Sequence, residues 1–200
     1  MFNSKLPPVF YINSKKYSAS SELSYLLRNA VSHIKYEWKE LVFLCIGSDR
    51  ITGDSLGPLV GHLLSQYTWP HIHVYGTLKE PVHALNLEKI TAQIKARHPL
   101  ALIIAIDASL GSKKHIGFIT LGIGSLRPGL GVNKDLPHVG DIFITGITNV
   151  SGTFEHFLLQ TTRLSTVVEM ADSIAQGILN AIDSSCPEKE LQLSPPLQSS

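Results

Sequence analysis

The sequence predicts an α/β fold, a three-layer α/β/α sandwich around a mainly parallel, mixed sheet. Two apolar runs without alternation, Leu41 to Ile46 and Leu102 to Ile106, read as strands buried on both faces. Segments with helical apolar spacing lie before, between and after them, the order that builds parallel crossovers. Late in the chain, the stretch His115 to Ile147 holds strands with no helix between them, which calls for an antiparallel pair and hence a mixed sheet.

The elements follow in order. Leu23, Leu26, Leu27, Ala30, Val31 and Ile34 fall on one helical face, so a helix runs from about Ser21 to Trp38. The strand Leu41 to Ile46 comes next. Leu56, Leu59, Val60, Leu63 and Leu64 mark a second helix over Gly53 to Gln66, with Pro58 in its first turn, where a missing N–H is tolerated. His71 to Tyr75 is a short strand. A helix covers Leu85 to Ala96, with Leu85, Leu87, Ile90 and Ile94 as its apolar stripe. Pro99 precedes the strand Ala101 to Ile106. His115 to Gly122, weakened by Gly117, and Asp141 to Ile147 are the late strands. Helices over Gly152 to Leu159 and Leu164 to Ile182 close the domain. Residues 1–183 are expected to form one domain with residues 1–18 as an N-terminal extension. Residues 184–200, rich in Ser, Gln, Pro and Glu, form a disordered tail.

Composition removes several function classes. A chain of 200 residues fits one ordinary domain. Formal net charge is +1 and 16% of residues are charged, with no basic stripe or acidic block, so neither nucleic acid nor a charged membrane surface is an expected partner. The two cysteines, Cys45 in the first apolar strand and Cys186 in the tail, make neither a disulfide framework nor a zinc site. No apolar stretch reaches the roughly 20 residues that span a bilayer. Met1 to Lys16 lacks the apolar core of a signal peptide. Gly47, Gly53 and Gly57 have the wrong spacing for a dinucleotide fingerprint, and no Gly-Lys-Ser/Thr follows to make a phosphate loop.

Two aspartates carry the functional signal. Asp54 stands where the first buried strand has emptied into the loop Gly47-Ser48-Asp49-Arg50-Ile51-Thr52-Gly53, at the mouth of the next helix. Asp107 directly follows Ile103-Ile104-Ala105-Ile106. Ligands of open α/β sheets sit outside the carboxyl ends of strands, so both acids are placed to share one crevice. The structural alternatives are a helix N-cap at Asp54 and a turn-initiating residue at Asp107. Asp49 and Arg50 are read either as a local ion pair or, through Arg50, as a grip on a substrate carboxylate or on Asp54. Glu80, before Pro81, is a further acid for the same crevice. A loop with three glycines, Ile123 to Asp135, is either a surface crossover or a closing segment that delivers Asn133 or Lys134. His62, His71, His73 and His83 are expected at the surface.

Gly53-Asp54-Ser55-Leu56-Gly57-Pro58-Leu59-Val60 resembles the Asp-Ala-Leu-Gly-Pro segment of the germination protease family of spore-forming bacteria. Ile104-Ala105-Ile106-Asp107-Ala108 resembles the strand carrying that family's second essential aspartate. Pro128-Gly129-Leu130-Gly131-Val132-Asn133-Lys134 is similar to a Gly-rich Asn-Lys segment of the same proteases. The matches keep their order from Leu41 to Gly152. The whole stretch Cys45 to Pro58 is similar to YyaC-type sporulation proteins, and the hydrogenase-maturation endopeptidases share the fold.

The resemblance implies a peptidase of aspartic type acting on a specific protein or peptide during sporulation or germination, in the cytoplasm of the sporulating cell or spore. Asp54 and Asp107 are its catalytic pair. Ser48, Asp49, Arg50, Glu80, Asn133 and Lys134 are its substrate-binding residues. No cofactor and no metal are expected, and a homo-oligomer is left open. A catalytically silent spore protein that binds a partner in the same crevice is the second reading. A metal peptidase built on Asp54, Asp107 and a histidine is the third, with His138 the sole histidine of the late loop, read as solvated.

Overall fold

The structure is a computed structural model, which describes residues 9–128, 136–152 and 155–183. Its centre is a six-stranded sheet with strand order β1-β5-β6-β4-β2-β3. The strands are β1 (Phe10–Asn13), β2 (Glu40–Cys45), β3 (Ile72–Tyr75), β4 (Ala101–Gly111), β5 (Phe118–Ile123) and β6 (Ile142–Val150). β3, β2, β4 and β6 run parallel, while β5 is antiparallel to both β6 and β1. The expected mixed α/β sheet is therefore present, with its antiparallel part in the late segment.

Among the described residues the helices are α1 (Ala19–Ser32), α2 (Leu56–Leu64), α3 (Leu87–Arg97), α4 (Glu155–Gln160) and α5 (Leu164–Asp183). Strand alternation splits the core into two layers. Ile104, Ile106 and Ala108 of β4 pack with Leu23 and Leu27 of α1, Val60 of α2, and Ile174 and Ile178 of α5. Ala105 of β4 joins Val42 and Leu44 of β2 in packing under Leu87 and Ile94 of α3. Cys45 is fully buried in the first layer, as an inert small hydrophobe whose thiol burial pushes up.

Several boundaries differ from the sequence reading. β1 lies inside the stretch read as an extension. Ile12 is 0% exposed there, because β1 covers the edge of β5 in register Ile12↔Ile119. β4 runs five residues beyond Ile106, to Gly111. It stays a strand because β6 pairs with it along that whole length, through a bulge between Ser109 and Leu110. Leu85 is not part of the α3 stripe; it precedes the helix and is 83% exposed. Residues 184–200, including Cys186, lie outside the described residues.

Candidate functional site

The strand ends assemble the site. The ladder between β2 and β4 closes at Cys45↔Ile106, with the Ile46 amide donating to the Ile106 carbonyl at 2.7 Å. Asp107 is thus the first β4 residue without a β2 partner in the ladder. On its other side it stays in register with Thr145 of β6. The turn reading of Asp107 is overturned: it is a strand residue, held by β6 where β2 turns away.

The chain leaving β2 folds back on itself. Gly47 has φ +142, and its amide donates to the Val82 carbonyl at 2.8 Å. The Ser48 amide donates to the Asp54 carbonyl at 3.1 Å, closing the loop. A Cβ at Gly47 would collide with that same Asp54 carbonyl, so only glycine lets the loop close. Gly57 fills a comparable need, bringing the start of α2 against the backbone of Ile46.

Asp54 ends a short 3₁₀ turn, Thr52–Asp54, and α2 begins two residues later. The N-cap position belongs to Ser55, whose hydroxyl donates to the Thr52 carbonyl at 2.7 Å instead of capping α2. The capping role read for Asp54 is therefore not filled by it. The turn is backed by the α4–α5 junction. A Cβ at Gly53 would strike Thr162 Oγ1 and Leu159, while Asn149 of β6 ties that junction down by donating to the Leu158 carbonyl at 2.6 Å.

Electrostatics then separate the two acids. Asp107 is 4% exposed, and Asp54 is half-buried. Burial pushes Asp54 up to about 7, against a partial offset from the Ser48 amide. Burial likewise raises Asp107 well above the usual carboxylate range, and the charge of Asp54 raises it further. The Ala108 amide, 2.7 Å from Asp107 Oδ1, opposes this in part. The charge of Asp54 acting on Asp107 makes the two groups a coupled pair, and burial favours the protonated form of both.

A polar strip flanks Asp107 that the sequence reading missed. Thr145 Oγ1 lies 2.7 Å from Thr120 Oγ1 and 3.0 Å from Ser109 Oγ, linking β4, β5 and β6 on the face Asp107 shares. The available signal was Ser109, two residues after Asp107, where a strand continuation puts it on the same face.

The remaining predicted residues fall as follows. Ser48 is half-buried in the loop, and its hydroxyl accepts from the Arg50 amide at 3.2 Å. Asp49 and Arg50 are exposed, and among the described residues neither enters an ion pair. Glu80 is exposed in a turn whose amide donates to Thr77 Oγ1. That turn lies two residues before Val82, which bridges to Ile46 beside the site. His138 is exposed, with Nδ1 3.3 Å from Ser125 Oγ. Asn133 and Lys134 lie outside the described residues. His73, expected at the surface, is instead half-buried between Glu40 and His98 at the opposite edge of the sheet.

Comparison with known proteins gives a family but no activity. A family model described as "Protein of unknown function (DUF1256)" matches residues 11–177. The uncharacterized protein YyaC of Bacillus subtilis (strain 168) is 44% identical over 178 residues, covering 89% of this chain and 86% of that protein. Among solved structures, the NiFe hydrogenase maturation protease HycI of Thermococcus kodakarensis KOD1 is similar over 77% of this chain and 99% of its own, at 18% identity and a TM-score of 0.40.

Proposed function

The chain belongs to the DUF1256 family of proteins of unknown function, and we propose that it is a peptidase whose working groups are the carboxyls of Asp54 and Asp107. The observation that carries this reading is a pair of acids beyond the end of the β2–β4 ladder, Asp54 on the 3₁₀ turn that follows β2 and Asp107 on β4, both raised by burial and Asp107 raised further by the charge of Asp54. The resemblance of both segments to the germination proteases points the same way and suggests a protein substrate of the sporulating cell.

Asp54, the more accessible acid, is the base. It takes a proton from a water that attacks the scissile carbonyl. Asp107, protonated, gives its proton to the carbonyl oxygen as the tetrahedral intermediate forms and takes it back as the intermediate collapses, while Asp54 passes the proton it took from water to the leaving amine. Negative charge developing on that oxygen needs donors. The Ser48 hydroxyl and those amides of the 48–53 loop not already bound to Asp54 or Ser48 are assigned to it, with Asn133 and Lys134 given the same task from the sequence. Asp49, Arg50 and Glu80, exposed around the loop mouth, are assigned to substrate side chains or termini.

The burial of Asp107 also favours a second reading, in which the crevice binds a peptide or partner without cleaving it. One experiment separates them. Wild type, Asp54→Asn and Asp107→Asn are incubated with an extract of sporulating cells, and cleavage products are identified by mass spectrometry. The peptidase reading expects a discrete set of products, reduced about 10²–10⁴-fold in each variant, the usual worth of an acid–base group. No wild-type cleavage, with one protein retained by wild type and variants alike, supports the binding reading. Cleavage surviving in both variants removes the carboxyl pair from the mechanism.

A further inference from the structure

The opposite edge of the sheet holds a second chemical constellation. Glu40 opens β2, His73 is the second residue of β3, and His98 caps the carboxyl end of α3. The β2–β3 register pairs Val42 with His73, so Glu40 and His73 both project toward the α3 layer. There they meet His98. Glu40 Oε1 lies 3.2 Å from His73 Nε2, and Glu40 Oε2 lies 3.1 Å from His98 Nδ1. The three ligating atoms lie within 4.8 Å of one another.

We propose that Glu40, His73 and His98 form a binding site for a divalent metal ion of the zinc class, separate from the Asp54–Asp107 crevice. Four lines of geometry and chemistry carry this. First, two imidazoles and one carboxylate are a donor set that such ions take, usually with water in the fourth position. Second, metal–ligand bonds of about 2.0–2.1 Å in a tetrahedral site put neighbouring ligand atoms about 3.3 Å apart. Each nitrogen already lies near that distance from a carboxylate oxygen, His73 from Oε1 and His98 from Oε2, so Glu40 would bind through both oxygens or turn one of them toward the ion. The two imidazole nitrogens must also close on the ion. The rings, stacked with centroids 4.0 Å apart and planes 29° from parallel, must splay to aim both lone pairs at one point.

Third, the outer shell is in place. His98 Nε2 sits 2.9 Å from the Tyr75 hydroxyl, so the ring is held through the nitrogen that would not bind metal. Without an ion, the donor and acceptor roles of these two contacts follow from which ring nitrogen carries the proton. With an ion on Nδ1, the ring proton would sit on Nε2 and the tyrosine oxygen would accept it. A metal-ligating histidine characteristically donates its second N–H to an oxygen in this way. Fourth, the site is reachable and partly open. The His73 and Glu40 side chains retain 35% and 25% exposure, while His98, at 11%, forms the floor.

The three ligands come from the start of β2, from edge strand β3 and from the end of α3. An ion held by all three would clamp the sheet edge to the helix layer, and its loss would loosen that corner alone. Asp54, on the turn that follows β2, and Asp107, past the β2 ladder on β4, lie beyond the other end of β2, so the two sites share no ligand.

The test uses the full chain, purified without an affinity tag and dialysed against chelator. Zn²⁺ is titrated calorimetrically, and Co²⁺ is used as a spectroscopic stand-in for tetrahedral coordination. The expected result is one saturable equivalent and a tetrahedral Co²⁺ spectrum. His73→Ala and Glu40→Gln should each weaken binding at least about 100-fold, and Tyr75→Phe about 10–100-fold through the outer shell. Asp54→Asn should leave binding unchanged. Zn²⁺ should raise the melting temperature of wild type but not of His73→Ala, whose half-exposed position keeps the variant folded if the buried His98→Ala is not. Only weak, multiple binding would overturn the site, as would an equivalent retained in His73→Ala or lost in Asp54→Asn. The three residues would then be a hydrogen-bonded structural triad.

Discussion

At the residue scale, the two aspartates differ in depth, and depth sets their chemistry. Asp54 reaches a value of about 7 because burial disfavours its charge, and Asp107 lies deeper still. The folded state therefore holds protons that the unfolded chain releases near pH 4. Between these values the native state binds more protons, so stability falls as pH rises through about 7. Asp54→Asn removes the titrating group while keeping the shape. At pH 8 it should gain at least about 1 kcal/mol, or about 2–4 °C in melting temperature, and at pH 4 it should gain nothing. Melting curves of both proteins across that range check the sign. If the peptidase reading holds, the cleavage rate should rise with pH through about 7, as Asp54 ionises, and fall where Asp107 finally loses its proton.

At the scale of elements, the loop between β2 and α2 and the edge strand β1 each rest on one residue. Gly47 combines a positive φ with backbone contact to the Asp54 carbonyl. Gly47→Ala should therefore cost at least about 2 kcal/mol and displace Asp54 as well. Urea denaturation reads the first effect; the second appears as loss of the pH-dependent stability that Asp54 confers. In β1, Ile12 is completely buried between the sheet and the helix layer. Ile12→Ala should cost about 2–5 kcal/mol, the range for emptying a packed aliphatic site. A loss below about 1 kcal/mol would show that β1 is an ornament on β5 and not part of the core. The Asp107 segment shows how an element can outrun its local signal. The apolar run ends at Ile106, yet β4 continues through Asp107 and Ser109, because β6 supplies partners on one side after β2 has left.

At the scale of the molecule, the parallel strands separate two polar sites by their own length. β2 spans six residues from Glu40 to Cys45, about 20 Å at the usual rise. The carboxyl pair sits beyond one end, and the Glu40–His73–His98 cluster sits at the other. Sites that far apart without shared partners should act independently. The stability changes of Glu40→Gln and Asp54→Asn should thus add in the double variant within about 0.5 kcal/mol. A larger coupling in chemical denaturation would mean that the sheet transmits strain from edge to edge.

Amino-acid order by itself determined the α/β class, the buried strands, and the place of each described helix, with α1 ending six residues before the expected Trp38, and it singled out Asp54 and Asp107 as the acids that follow apolar runs. These are local quantities, because hydrophobic period, proline placement and the abrupt end of an apolar run are all written within a few residues. It did not determine β1, the far half of β4, the burial that divides the roles of the two aspartates, or the meeting of Glu40, His73 and His98. Each of those depends on partners far along the chain: β5 for β1, β6 for β4, and α3 for the histidine cluster. A side chain's environment is made by whatever the fold brings against it. Depth, charge coupling and ligand geometry therefore came into being only when the strands were laid in the order β1-β5-β6-β4-β2-β3 and the helices closed over them.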